Sequence, residues 1–228
     1  MADALKSGDI IHQRSYKNIK VNRKEHLIVY SKEDEIVDSI VEGLMKQLVS
    51  GDNLSLMSKN VGADDKSTKS ALEMGLPLLL GAMNNNASKP EGAQAIMNGL
   101  AQLGNNNPMY NLSSHLSAPG SSQGSNMLTS IMGTSLSPIE QAVSKSTGLP
   151  PAVVSKILAM ALPLVLGSLG KSSPGQSLGP NDLSKLLGDQ SKMAMAASPD
   201  AAGVMNELFA SQQSSGGLTG LIKKFMKG

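Results

Sequence analysis

The residue types in this sequence that could do chemistry are few and scattered. Gly120-Ser121-Ser122-Gln123-Gly124 matches the Gly-x-Ser-x-Gly spacing that exposes a nucleophilic serine. That chemistry needs a buried strand before the serine and a helix after it, to hold it in a strained turn. Here the flanks are rich in Ser, Gly and Asn, so Ser122 is read as an ordinary surface serine. Gly167-Ser168-Leu169-Gly170-Lys171-Ser172 carries the Gly-Lys-Ser of a phosphate-binding loop. The first glycine of that loop would fall on Val165, and the preceding segment is patterned as a helix, so the match fails twice. Lys171 is placed instead near a helix end, where its charge suits the unpaired carbonyls. His12, His26 and His115 lie far apart, with no pair at helical or turn spacing, and there is no cysteine, so no metal-ligand set or thiolate nucleophile is visible. The neighbours Asp64 and Asp65 could act as acid and base, but just ahead of a helical pattern their expected role is to accept from the free amides of the first turn. No nucleophile, base and orienting group stand together, so a non-catalytic protein without cofactor is expected.

Composition narrows the elements that must position any site. Of 228 residues 40% are hydrophobic, 17% charged and only 2% aromatic. A core must therefore be built from Leu, Ile, Val, Met and Ala, a palette that suits packed helices. The shortage of flat aromatic faces argues against base stacking and against cages for cationic ligands. Lys and Arg total 20 against 18 Asp and Glu, a net charge of +2, too small to draw a polyanion to the whole surface. Absence of cysteine fits a reducing compartment, and the first 30 residues carry charge throughout without the pattern of a secretory signal. A cytoplasmic location is expected. The longest apolar stretch, 157–169, has 13 residues and contains Pro163, Gly167 and Ser168. It falls short of the roughly 20 residues a membrane-spanning helix needs, and a buried core helix is the expectation.

An internal repeat organises the chain. Residues 61–83 align without gaps on 147–169, and eight of the 23 positions are identical: Gly62/Gly148, Leu72/Leu158, Met74/Met160, Leu76/Leu162, Pro77/Pro163, Leu78/Leu164, Leu80/Leu166 and Gly81/Gly167. Ser58 and Lys59 also match Ser144 and Lys145. The shared plan is a small polar turn, a helix, and Leu-Pro-Leu-x-Leu-Gly; two copies are too few for a solenoid. Ahead of the first copy, Ile36, Val37, Ile40, Val41, Leu44, Met45, Leu48 and Val49 recur on one face of a helix expected over 33–49, with Ser31 and Asp34 as a capping box and Gly51 as its stop. A short helix from Asn53 follows. The signature helix begins near Asp64 or Asp65 and should kink at Pro77. Pro90 opens a further helix burying Ala93, Ile96, Met97, Leu100 and Leu103, which stops at Gly104.

These patterns give five segments: an arm over 1–30, a helical lobe over 31–104, an Asn/Ser/Gly linker over 105–126, a second lobe over 127–211, and a spacer with a terminal helix over 212–228. The second lobe reads as Met127, Leu128, Ile131 and Met132, then helices opened at Ser137-Pro138, Pro150, Pro180 and Ser198-Pro199, the one at Pro180 reaching Leu187. The arm holds the strand-like patterns Ile19-Lys20-Val21 and Leu27-Ile28-Val29-Tyr30, readable as a short β-hairpin or a disordered arm. At the other end Leu218, Leu221, Ile222, Phe225 and Met226 fall on one helical face, and Lys223, Lys224 and Lys227 on the other.

Val61-Gly62-Ala63-Asp64, leading into Ala71-Leu72-Glu73-Met74-Gly75-Leu76-Pro77-Leu78-Leu79-Leu80-Gly81 and followed by Asn86-Ala87-Ser88 and Glu91-Gly92-Ala93, resembles the YidB-like family of bacterial proteins, a domain of unknown function. The resemblance covers 33–187 and implies an all-α fold of homeodomain-like helix arrangement, with no activity or site residues to carry over. The arm and the linker depart from the compact family pattern. The expected protein is thus all-α, with two related lobes from an internal duplication, acting as an interaction or scaffolding module. Its partner is a protein or a second copy, docked through the C-terminal residues just named. Two alternatives stay open. DNA could meet the homeodomain-like helices, although Lys66, Lys69, Ser70, Ser155 and Lys156 make a thin reading face. A membrane surface could take the basic amphipathic tail.

Overall fold

The computed structural model describes residues 39–104, 106–118, 122–171, 179–208 and 210. Among these, 88% are helical and none lies in a strand. The helices are α1 (Ile40–Val49), α2 (Asn53–Val61), α3 (Asp65–Ala87), α4 (Pro90–Leu103), α5 (Leu112–Ser117), α6 (Ser122–Met132), α7 (Leu136–Thr147), α8 (Pro151–Lys171) and α9 (Pro180–Ala197). A further helix, α10, occupies 199–208. The expected hairpin or arm over 1–30, the Ser31–Asp34 capping box and the terminal helix over 218–228 lie outside the described residues.

Local signals set most boundaries. Asp64 accepts from the amide of Ser67 at 2.8 Å, so α3 starts where a carboxylate can take up a free amide. That hydrogen bond, given up by the backbone of Ser67, holds the Asp64 carboxyl below the ordinary range for aspartate. Pro90 opens α4 and Gly104 closes it. Two boundaries differ from the periodicity. The first helix begins at Ile40, where Ser39 is the cap, and Gln190 of α9 reaches across the fold to accept from the Ile40 amide at 2.7 Å. A side chain distant in sequence thus caps α1, something no local pattern contains. Helix α9 runs ten residues past Leu187, to Ala197, because Gln190, Ser191 and Ala194 are buried and the continued helix packs along α3.

Helices α3 and α8 form the centre. From Leu76 to Met83 every residue of α3 is buried, and so is every residue of α8 from Ile157 to Gly167. Each contains a proline, Pro77 and Pro163, whose missing amide is offset by packing on all sides. The two helices meet where Gly75 faces Leu158: a Cβ on Gly75 would lie 2.8 Å from the Leu158 Cδ2, so the absent side chain allows the approach. The largest fully buried side chains are all Leu, Met or Ile, as the scarcity of aromatics required. Among the described residues α8 alone is long and apolar enough to cross a membrane, with mean hydropathy 2.0, and 72% of that window is buried by the rest of the protein. At 21 residues it is longer than the apolar stretch seen in sequence, and most of it is buried, as expected of a core helix.

The two expected lobes pack on each other, and the described part of the stretch expected as a flexible linker is largely helical. Residues from both halves enter one hydrophobic cluster, and α3 packs directly on α8 and α9. The described part of 105–126 forms a 3-10 turn (Pro108–Tyr110), α5 and the start of α6. Its Asn and Ser residues cap and tether rather than loosen the chain. Asn107 accepts from the amide of Met109 at 2.9 Å and donates to the Gly167 carbonyl at 2.9 Å. Asn60 of α2 donates to the carbonyls of Leu116 and Ala118. Leu116, with no exposed surface, supplies the apolar anchor.

Candidate functional site

The residues with chemical motifs have structural employment. Asp64 caps α3, and Asp65 lies in its exposed first turn. Ser122 opens α6, with α5 rather than a strand ahead of it in the chain. Lys171 ends α8, and its ammonium stands 4.7 Å from the centre of the Tyr110 ring, a cation over an aromatic face. His115 is half-buried, and its Nε2 lies 3.0 Å from the Met160 carbonyl of α8. A carbonyl only accepts, so the ring is held as the Nε2–H donor. Met160 lies one residue after Ala159, whose carbonyl Pro163 leaves without its usual helical donor. Among the described residues no three of His, Asp and Glu cluster as metal ligands would.

The surface feature that does invite a partner is a groove. Two adjoining depressions of about 660 and 630 Å³ share Met74, Ser146, Pro199 and Asp200. One runs between α1, α3 and the junction of α9 with α10, and the other between α7 and α10. Val41, Met45, Met74 and Pro77 give the first an apolar floor; Val204 and Leu208 give the second one. Met45 and Met74 are half-buried, and an unbranched thioether can reshape itself around an incoming side chain. Pro77 also leaves the Glu73 carbonyl without its usual helical donor, and both residues border the groove.

The rim is acidic. Glu42, Glu73, Asp200 and Glu207 line it, with Lys145 opposite. Glu42 pairs with Lys46 at 2.8 Å, and the hydrogen bond from that ammonium holds its carboxyl below the ordinary range. Glu73 lies 3.6 Å from Lys69. Asp200 and Glu207 have no ion pair to a described residue. They are the carboxylates open to a cationic partner.

The groove brings together residues from 39–45, 70–77, 141–146 and 194–208, which sequence patterns left on separate elements. Only the half-apolar character of α1 and α10 hinted at a face left over after packing. The docking residues expected from sequence, Leu218, Leu221, Ile222, Lys223, Lys224, Phe225, Met226 and Lys227, lie outside the described residues.

The model of a family described as "Bacterial protein of unknown function (DUF937)" matches residues 43–172, more than half of the chain. The chain belongs to the DUF937 family. This is the YidB-like family whose pattern the signature helix carries. Comparison with curated proteins and with solved structures gave no match. The DUF937 span holds most of α1 and all of α2 to α8. One wall of the groove, α10, therefore lies beyond it. In this DUF937 protein the groove is formed where the family domain meets the C-terminal part of the chain.

Proposed function

We propose that this protein is a non-catalytic interaction or scaffolding module of the bacterial cytoplasm, binding a protein partner or a second copy through its C-terminal amphipathic segment. The observation that supports this reading best is the open groove with methionine and proline in its floor and an acidic rim. Half-buried Met45, Met74, Val204 and Leu208 line it, an apolar strip on which a helical segment can lie. The fold also fits a duplicated origin, in which α2–α3 and α7–α8 are two copies of one homeodomain-like helix-turn-helix unit. Three residues separate the helices in each pair. Gly62 and Gly148 both turn the chain at positive φ, +78° and +74°, and their amides donate to the equivalent carbonyls of Ser58 and Ser144.

The test is a pull-down from native lysate with the full chain beside a chain ending at Gln213, at low and moderate salt and with nuclease-treated controls. The proposal expects one protein, or tagged full chain itself, to be retained by the full chain, lost on truncation, and indifferent to salt and nuclease. Retention of nucleic acid by both chains, released by salt, would overturn it in favour of DNA binding, because phosphate contacts weaken steeply with salt.

A further inference from the structure

The groove and the C-terminal segment are complementary, and we infer that the groove is the resting site of residues 218–228 of the same chain, whose apolar face it covers until a partner competes for it. This inference rests on the reading above and names the surface it uses. The five apolar residues of the segment, Leu218, Leu221, Ile222, Phe225 and Met226, would lie on the half-buried Met45, Met74, Val204 and Leu208 of the floor. Of its three lysines, Lys223, Lys224 and Lys227, two find carboxylates in Asp200 and Glu207 on the α10 side of the rim, away from Lys145 on α7. An eleven-residue helix is too short to persist alone in water, so the segment needs a surface on which to form.

The chain's own tail is favoured over a second copy by where the described chain stops. Leu208 itself lines the groove, Ala210 is the last described residue and is helical, and 211–217, rich in Ser, Gly and Gln, connect it to the segment. Seven such residues span about 15 Å on average and reach roughly 24 Å at full extension. A helix of eleven residues is about 16 Å long. The segment can therefore fold back along α10 with slack to spare, at an effective concentration of about a millimolar. A second copy would have to exceed that concentration to displace it.

The probe is a labelled synthetic peptide of residues 214–228, its binding followed by fluorescence anisotropy to the chain ending at Gln213 and to the full chain. The truncated chain should bind the peptide, and the full chain at least tenfold more weakly, because its groove is already filled. Asp200→Lys with Glu207→Lys in the truncated chain should weaken binding roughly three- to tenfold. Both residues are exposed, so unchanged thermal unfolding would show that the fold is kept. A peptide with Leu221→Asp and Phe225→Asp should not bind. The inference is overturned by a peptide that ignores the truncated chain, binds both chains equally, or is indifferent to the charge reversal. It is equally overturned if light scattering shows the full chain dimerising through its tail. Any of these results leaves the partner capture described above to be read on its own, since that experiment scores loss of a partner and not occupancy of the groove.

Discussion

Alanine at two helical glycines should move stability in opposite directions. In a helix interior, replacing Gly by Ala ordinarily gains about 0.5–1 kcal/mol, since the unfolded chain loses freedom and the helix gains a better former. Gly43 in α1 should show that gain, because nothing lies within 4 Å of the Cβ it would acquire. Gly92 in α4 should show the reverse. Its Cβ would sit 2.1 Å from the carbonyl oxygen of Asn86 and 2.6 Å from the carbonyl carbon. Those are backbone atoms and cannot rotate away. Asn86 is also held in place, because its carbonyl accepts from the Lys89 amide at 2.9 Å and its side chain donates to the Ile131 carbonyl at 2.8 Å. Relief would require the α3–α4 turn to move off α6. Overpacking of this kind costs about 1–3 kcal/mol, which outweighs the propensity gain. Urea unfolding monitored by circular dichroism should place Gly43→Ala about 0.5–1 kcal/mol above the parent and Gly92→Ala about 1–2 kcal/mol below it. Equal stabilisation by both would mean that α4 does not approach Asn86 as described, and the reasoning on close approach would fail with it.

Three further outcomes follow from single hydrogen bonds. Gln190→Leu keeps the bulk but strips the Ile40 amide of its acceptor, and should lower stability by about 1–2 kcal/mol in the same unfolding assay. His115→Ala removes the donor to the Met160 carbonyl, and hydrogen exchange should quicken in α5 up to about tenfold while α3 stays protected. Asp64→Ala should lower the melting temperature at neutral pH through loss of the α3 cap. Because the native carboxyl titrates below its unfolded range, the cap's contribution is present above that range and lost as pH falls through the native pKa. The difference between parent and variant should therefore shrink in acid, and a difference that persists there would remove the cap from the explanation.

Legibility of the fold divides along the line between local and tertiary causes. Asp64, Pro90, Gly62 and Gly104 announce their helix ends because cap, proline and positive-φ glycine act within a turn of themselves. The buried character of α8 was likewise readable, since its 13-residue apolar stretch is short for a membrane span and suits a core. The stretch over 105–126 was misread for a physical reason. Asn107 and Asn111 look like linker residues, yet they cap helical turns, and the stretch is held by Asn107 on Gly167, His115 on Met160 and Asn60 on Leu116, pairs 45 to 60 residues apart. The same holds for the Gln190 cap on α1 and for the prolongation of α9, where burial of polar residues overrides their usual preference for the surface. The groove was invisible for this reason too. Met45, Met74 and Leu208 each look like ordinary members of an apolar stripe, and only the packing of α1, α3 and α10 brings them to two adjoining depressions.

Methyl spectra of the methionines test most directly whether the groove is a docking surface for the tail. With all 14 methionines labelled on the methyl carbon, the full chain and the chain ending at Gln213 are compared under identical conditions. The account predicts that Met45 and Met74, half-buried in the groove, change position between the two chains while Met57 and Met83, fully buried elsewhere, do not. Coincident Met45 and Met74 signals in the two chains would contradict it, leaving the groove without the occupant assigned to it.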